Sequence, residues 1–296
     1  MNRFIYSPSY AVDIGAHVFP TAKFRLAAEA VASLGVLCEP QEPSRDDLLL
    51  AHDSAWVDKV LTSRMSLAEE MLMELPFTPA VSLAHRLQAA GTVLACRHAL
   101  EAGVGLHVGG GSHHAFRDHG EGFCVLNDIA VGIMKMRSEG YIRNAAVIDL
   151  DVHQGNGTAS ILAGEPGIFT FSMHQDDLYP SVKPPSSLDV GLPAGTGDQD
   201  YLRILEENLP QVFAHQPELV VYQAGVDGWE KDLLGGLKLT AQGLRRRDAM
   251  VYEACRGRGV PVAVTLGGGY GAHIKETARL HAQTLTLFTG RGKEIS

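Results

Sequence analysis

The chain predicts an α/β fold, a single three-layer domain in which a mostly parallel sheet is flanked by helices, on three observations. Short apolar runs recur along it, helical patterns lie between them, and each run leads into glycine, aspartate or histidine. Continuous apolar runs suit strands buried on both faces. Their alternation with helices builds a parallel sheet wrapped on both sides. Residues 1–296 are read as this one domain.

In chain order, residues 78–102 read as a helix, with Thr78 as N-cap, Pro79 in the first turn and Gly103 as the stop. A strand at 104–108 then leads to Gly109-Gly110-Gly111-Ser112-His113-His114. A helix is expected at 127–139, and a strand at 145–150 runs into Asp149, Asp151 and His153. The strand at 168–173 is followed by His174. Residues 179–197, rich in Pro, Gly and Ser, read as a long surface loop, often functional in a compact domain. Helix 198–214 precedes strand 219–223, which leads to Asp227; helix 241–256 precedes strand 260–266, which leads to Gly267-Gly268-Gly269-Tyr270; helix 272–288 follows. The carboxyl ends of parallel strands share one edge, where ligand sites form. Five segments thus bring polar residues to one rim.

Composition narrows the classes. With 296 residues, 45% hydrophobic and 20% charged, 32 glycines and 14 prolines, the chain is neither disordered, collagenous nor a coiled coil. No apolar run reaches bilayer length, and residues 1–10 lack a signal-peptide layout, so the cytoplasm is the expected compartment. A net charge of −9 disfavours direct nucleic-acid binding and is compatible with a cationic ligand. Cys38, Cys96, Cys124 and Cys255 form no C-x-x-C pair and read as reduced and mostly buried.

Asp149, Asp151 and His153 alternate with Ile148, Leu150 and Val152. At strand spacing the polar groups share one face. A carboxylate beside an imidazole makes part of a divalent-metal site, and Asp227 can add a third ligand, leaving a position open for water. The other reading is a buried Asp–His pair with a solvent-facing Asp. His113 and His114 suit metal ligands, an acid/base pair or ordinary loop histidines. Tyr270 is either a half-buried core tyrosine or a hydroxyl donor to a developing oxyanion. Asp227 could equally be a turn aspartate. H-E-x-x-H, P-loop and G-x-S-x-G motifs are absent from the sequence. Gly155-Asn156-Gly157-Thr158 reads as the turn after the metal-bearing strand.

Taken together, GGGSHHA at 109–115, EGFCVLND at 121–128, IDLDVHQGNG at 148–157, QAGVD at 223–227, LGGLKL at 234–239 and GGGY at 267–270 resemble the zinc-dependent histone deacetylases, in the same order. The QGNG variant and short length look most like class IV and bacterial histone-deacetylase-like amidohydrolases. The resemblance implies an arginase/deacetylase-type fold. It implies one zinc ion per chain held by Asp151, His153 and Asp227. By the same likeness His114 is the general base, His113 its electrostatic or acid partner, Asp149 the carboxylate holding His113, and Tyr270 the oxyanion donor. Gly122, Phe123 and Tyr179 resemble the acyl-lysine channel, and a monovalent cation such as potassium is implied near Asp149, Asp151, His153, Ser172 and Met173. Asn156, beside His114, departs from the aspartate common in the family. The family's substrate-clamping aspartate has no counterpart in residues 73–78.

The resemblance therefore implies a metal-dependent amidohydrolase acting on acyl-lysine of a protein or peptide. An acylated polyamine is the alternative substrate, and a catalytically silent acyl-lysine reader the rival from another class. Class IV likeness implies a preference for longer acyl chains. The glycine runs at 109–111 and 267–269 are read as leaving room for them.

Overall fold

The computed structural model describes residues 2–291. Eight parallel strands form one sheet: β1 (Asn2–Ile5), β2 (Gly35–Cys38), β3 (Val104–His107), β4 (Ala145–Asp149), β5 (Ile168–Gln175), β6 (Leu188–Leu192), β7 (Leu219–Gln223) and β8 (Val262–Thr265). Their spatial order is β2-β1-β3-β8-β7-β4-β5-β6, and every neighbouring pair is parallel.

The helices are α1 (Ala22–Val31), α2 (Arg45–Leu49), α3 (Ser54–Thr62), α4 (Leu67–Met73), α5 (Pro79–Ala102), α6 (Asp128–Ser138), α7 (Asn156–Leu162), α8 (Asp198–Ala214), α9 (Ala241–Arg258) and α10 (Ile274–Thr286). Thr78 caps α5, accepting from the Val81 N–H, and Gly103 ends it at φ +86°.

Strand alternation divides the core into two layers. Ala146 and Ile148 of β4, with Val220 and Tyr222 of β7, pack among apolar residues of α1, α8, α9 and α10. Ala145 and Val147, with Leu219 and Val221, face α3, α5 and α6 instead. Both faces are covered, which is why these strands are apolar throughout.

Two expectations need correction. Residues 179–197 are not loop throughout, because β6 lies inside them and pairs with β5, Leu188 opposite Phe171 and Leu192 opposite Gln175. The flanking prolines and glycines hid a five-residue edge strand. Asn156 does not sit in a turn but opens α7. Two strands and five helices lie outside the predicted elements (β1, β2, α1, α2, α3, α4 and α7), each ten residues or fewer and so too short to write a long periodic pattern. Among the described residues no helix is long and apolar enough to cross a membrane. Cys96, Cys124 and Cys255 are buried and Cys38 half-buried, all as free thiols.

Candidate metal centre and active site

The strand spacing invoked for Asp149, Asp151 and His153 holds only at its start, since β4 ends at Asp149. Beyond it the chain bends, and the carboxylates themselves fix the bends. Asp149 Oδ1 accepts the Asp151 N–H (3.2 Å), Asp151 Oδ1 the His153 N–H (3.0 Å), and Asp227 Oδ1 the Val152 N–H (2.8 Å). Arg247, buried on α9, donates to the carbonyls of Leu150 (3.2 Å) and Gly225 (2.6 Å). It thereby ties the β4 end to the β7 end.

Asp151, His153 and Asp227 converge, with ligating atoms within 4.8 Å of one another and all three buried. His153 Nδ1 lies 3.1 Å from Asp151 Oδ1 and 3.2 Å from Asp227 Oδ2. Two carboxylates and one imidazole nitrogen suit zinc, iron or cobalt. The electrostatics also fit a cation. Burial opposes charge on His153, yet the two carboxylates push it up to about 10. Burial and the charge of Asp151 push Asp227 up to about 7. Both shifts favour positive charge at this point, as a divalent ion would supply.

Gly268 closes the centre from the β8 side. Its N–H donates to Asp151 Oδ2 at 2.8 Å, and Gln223 Nε2 donates to the same oxygen at 2.9 Å. A Cβ on Gly268 would lie 1.9 Å from Asp227 Oδ2 and 2.6 Å from Asp151 Oδ2. Gly268→Ala is therefore expected to lower zinc affinity by about a hundredfold or more, read by competition with a chromogenic chelator. Unchanged affinity would show that the two carboxylates can part without harm.

His113 and His114 lie on the loop after β3, held by Asp128. Its carboxylate accepts the N–H groups of Gly111 (3.0 Å) and Ser112 (2.7 Å) and is braced by the Thr92 hydroxyl. His113 Nδ1 donates to Asp149 Oδ2 at 2.7 Å. Burial opposes its charge, but Asp149 and Asp151 push it up to about 9. His114 Nδ1 donates to Asn156 Oδ1 at 2.7 Å. Burial, then the charges of His113 and His153, hold His114 well below the usual histidine range. The two ring centroids lie 4.1 Å apart, the first ring pushed toward its charged form and the second toward its neutral form. Such divergence is the pattern expected of an acid/base pair.

Tyr270 faces the same centre, its ring 6.4 Å from that of His153. Burial, then Asp151 and Asp227, push its hydroxyl well above the usual tyrosine range, so it stays a donor. Asp232 accepts its backbone N–H at 2.7 Å. Behind it lies Lys23, fully buried, whose Nζ donates to the carbonyls of Gly267 (2.8 Å) and Gly269 (3.4 Å) and sits 5.1 Å from the Tyr270 ring centre.

Of the channel residues, Phe123 packs 5.8 Å from the Tyr270 ring and stacks on Phe19 at 5.5 Å. Tyr179 lies on the other side, its ring 5.0 Å from that of His114. Gly122, at φ +47°, lies between, where a Cβ would meet His114 at 2.8 Å and Tyr179 at 3.0 Å. Asp149 pairs with Ser172 across β4 and β5, and Met173 follows it, so the residues expected around a monovalent cation are neighbours. The Ser172 hydroxyl is 2.9 Å from His174 Nδ1.

The glycine runs do not leave open space. The Gly267 N–H donates to the Gly110 carbonyl at 3.1 Å, and a Cβ on Gly111 would lie 2.5 Å from the Gly267 Cα. The two runs pack against each other. Sequence reading also missed Lys23, Asp128, Arg247 and Gln223 as supports of the site. Asp128 and Gln223 stand at the ends of quoted motifs, but Lys23 and Arg247 sit in unremarkable helices.

Comparison with known proteins agrees with this geometry. A protein of Picosynechococcus is 38% identical over 94% of this chain and 95% of its own length. Histone deacetylase 2 of Arabidopsis thaliana is 31% identical over 97% of this chain and 79% of its own. A histone deacetylase-like amidohydrolase of Pseudomonas aeruginosa is 28% identical over 77% of this chain and 64% of its own. The solved HDA15 HD domain superposes with a TM-score of 0.82 at 23% identity, covering 99% of this chain and 89% of that one, which shows a shared fold. Residues 17–286 match the histone deacetylase domain, and the chain belongs to the histone deacetylase family of hydrolases.

Proposed function

We propose that the protein hydrolyses the side-chain amide of Nε-acyl-lysine in proteins or peptides, with one zinc ion per chain held by Asp151, His153 and Asp227. The observation that carries this reading is the tandem pair His113, bonded to Asp149, and His114, bonded to Asn156, at the edge of a buried Asp–His–Asp cluster. When bound, the divalent ion polarises the acyl carbonyl and acidifies water.

The protein's own groups do the rest. Phe123 and Tyr179 flank the entrance and receive the apolar lysine stem. His114, with Nδ1 engaged by Asn156, presents Nε2 to take the proton of the attacking water. His113, held by Asp149, offers positive charge to the oxyanion as it develops, and the Tyr270 hydroxyl donates to the same oxygen. As the C–N bond breaks, the proton taken from water passes to the leaving amine, and the acyl group departs as a carboxylic acid whose remaining proton, the second of the water, then ionises to give carboxylate. A monovalent cation beside Asp149, Asp151, His153, Ser172 and Met173 belongs to the same reading.

A hydrolysis screen pairing acyl length with carrier tests it. Measurable turnover of acetyl-lysine peptide is expected, with higher kcat/KM on medium or long chains. Class IV likeness alone now carries that preference, because the packed glycine runs supply no room for it. Each buried methylene would contribute about 0.8 kcal/mol. Turnover of acylated polyamines but not peptides would replace the substrate class. Efficient cleavage of acetyl with octanoyl untouched would reverse the length preference.

A further inference from the structure

We propose that Glu121 is a positioning residue for His114, acting through Asn156; this rests on the reading of His114 as the base. Glu121 Oε2 accepts from Asn156 Nδ2 at 2.9 Å and from the Tyr179 hydroxyl at 3.1 Å, while Oε1 lies 3.3 Å from His119 Nε2. Asn156 Oδ1 in turn accepts from His114 Nδ1 at 2.7 Å and from the Gly157 N–H at 3.0 Å.

Each link runs one way. An ionised carboxylate only accepts, so Glu121 requires the NH2 end of the Asn156 amide. That turns the amide oxygen toward His114. A carbonyl oxygen also only accepts, so His114 carries its hydrogen on Nδ1 and keeps the Nε2 lone pair free. With the amide flipped, an NH2 group would face Nδ1 and favour the opposite tautomer, whose Nε2 already holds a proton. Asn156 is itself uncharged, and the carboxylate stands one residue further from His114, at Glu121. Glu121 also begins the turn carrying Gly122 and Phe123, closed by the Cys124 N–H on the Glu121 carbonyl at 2.8 Å. One segment therefore orients the base and forms a wall of the entrance.

A charge swap tests this. In Asn156→Asp alone, two carboxylates would face each other, and kcat should fall about tenfold or more with KM changed little. In Glu121→Gln alone, an amide oxygen can still accept from Asn156, and kcat should fall about threefold. In the double variant, the introduced glutamine amide donates to the introduced aspartate, which accepts from His114. Activity should then exceed that of Asn156→Asp alone. If the two losses simply multiply, Glu121 does not act through Asn156. Long-range 15N spectra of the histidines supply a second readout. Glu121→Ala should give His114 a mixture of tautomers, and an unchanged Nδ1–H form would overturn the proposal even if no acylated amine is turned over. Failure of the wild type on every acylated substrate would instead overturn the reading of function.

Discussion

Replacing Asp151 or Asp227 with alanine is expected to abolish bound metal and turnover while the sheet stays folded. Each contributes one of only two carboxylates to the cluster, and the remaining Asp–His pair holds a divalent ion far more weakly. Turnover should drop by about a thousandfold or more, because the polarisation that a divalent ion supplies is lost. Thermal unfolding separates this from general damage. Asp227→Ala leaves the buried Val152 N–H without its acceptor, so it should melt a few degrees below wild type in a single cooperative transition. Zinc should raise the melting temperature of wild type and leave that of the variant unmoved, since only a ligand that binds the folded state stabilises it. Stoichiometric zinc retained in both variants, measured by elemental analysis, would remove these residues from the metal site.

Tyr270→Phe comes next in expected size. The hydroxyl is buried among carboxylates and held protonated, and its neighbours leave the ring well supported by Phe123 and Lys23. Phenylalanine keeps those ring contacts and removes only the donor. Loss of one such donor to an oxyanion costs about a hundredfold or more in kcat, with little change in KM, because the interaction strengthens as charge develops. A variant whose kcat stays within a fewfold of wild type would make Tyr270 a packing residue.

The central part of the fold was legible because burial on both faces writes itself as continuous apolar sequence. The strands read at 145–150 and 219–223 differ from β4 and β7 by at most one residue. Strand β6 was not legible. It lies at the sheet edge, and its Leu188, Val190 and Leu192 sit among prolines and glycines that also suit a loop. Similarly, the alternation of Asp149, Asp151 and His153 pointed to the right residues for a partly wrong reason. The strand stops after Asp149, and hydrogen bonds from the following N–H groups to the carboxylates turn the other two inward.

By itself, the sequence determined the residue types at the rim, the α/β class and the candidate metal ligands, because these follow from local pattern and from motifs that lie close along the chain. Only the tertiary structure decided how these groups are wired. Lys23 reaches Gly267 across 244 positions, Arg247 joins the ends of β4 and β7, and Glu121 stands behind Asn156. Such contacts carry no sequence period, since they join residues brought together by the packing of separate elements. The protonation contrast between His113 and His114 is of the same kind. The two are adjacent in sequence and alike in chemistry, and they shift apart because Asp149 and Asp151 favour charge on His113, while burial and the charges of His113 and His153 oppose it on His114.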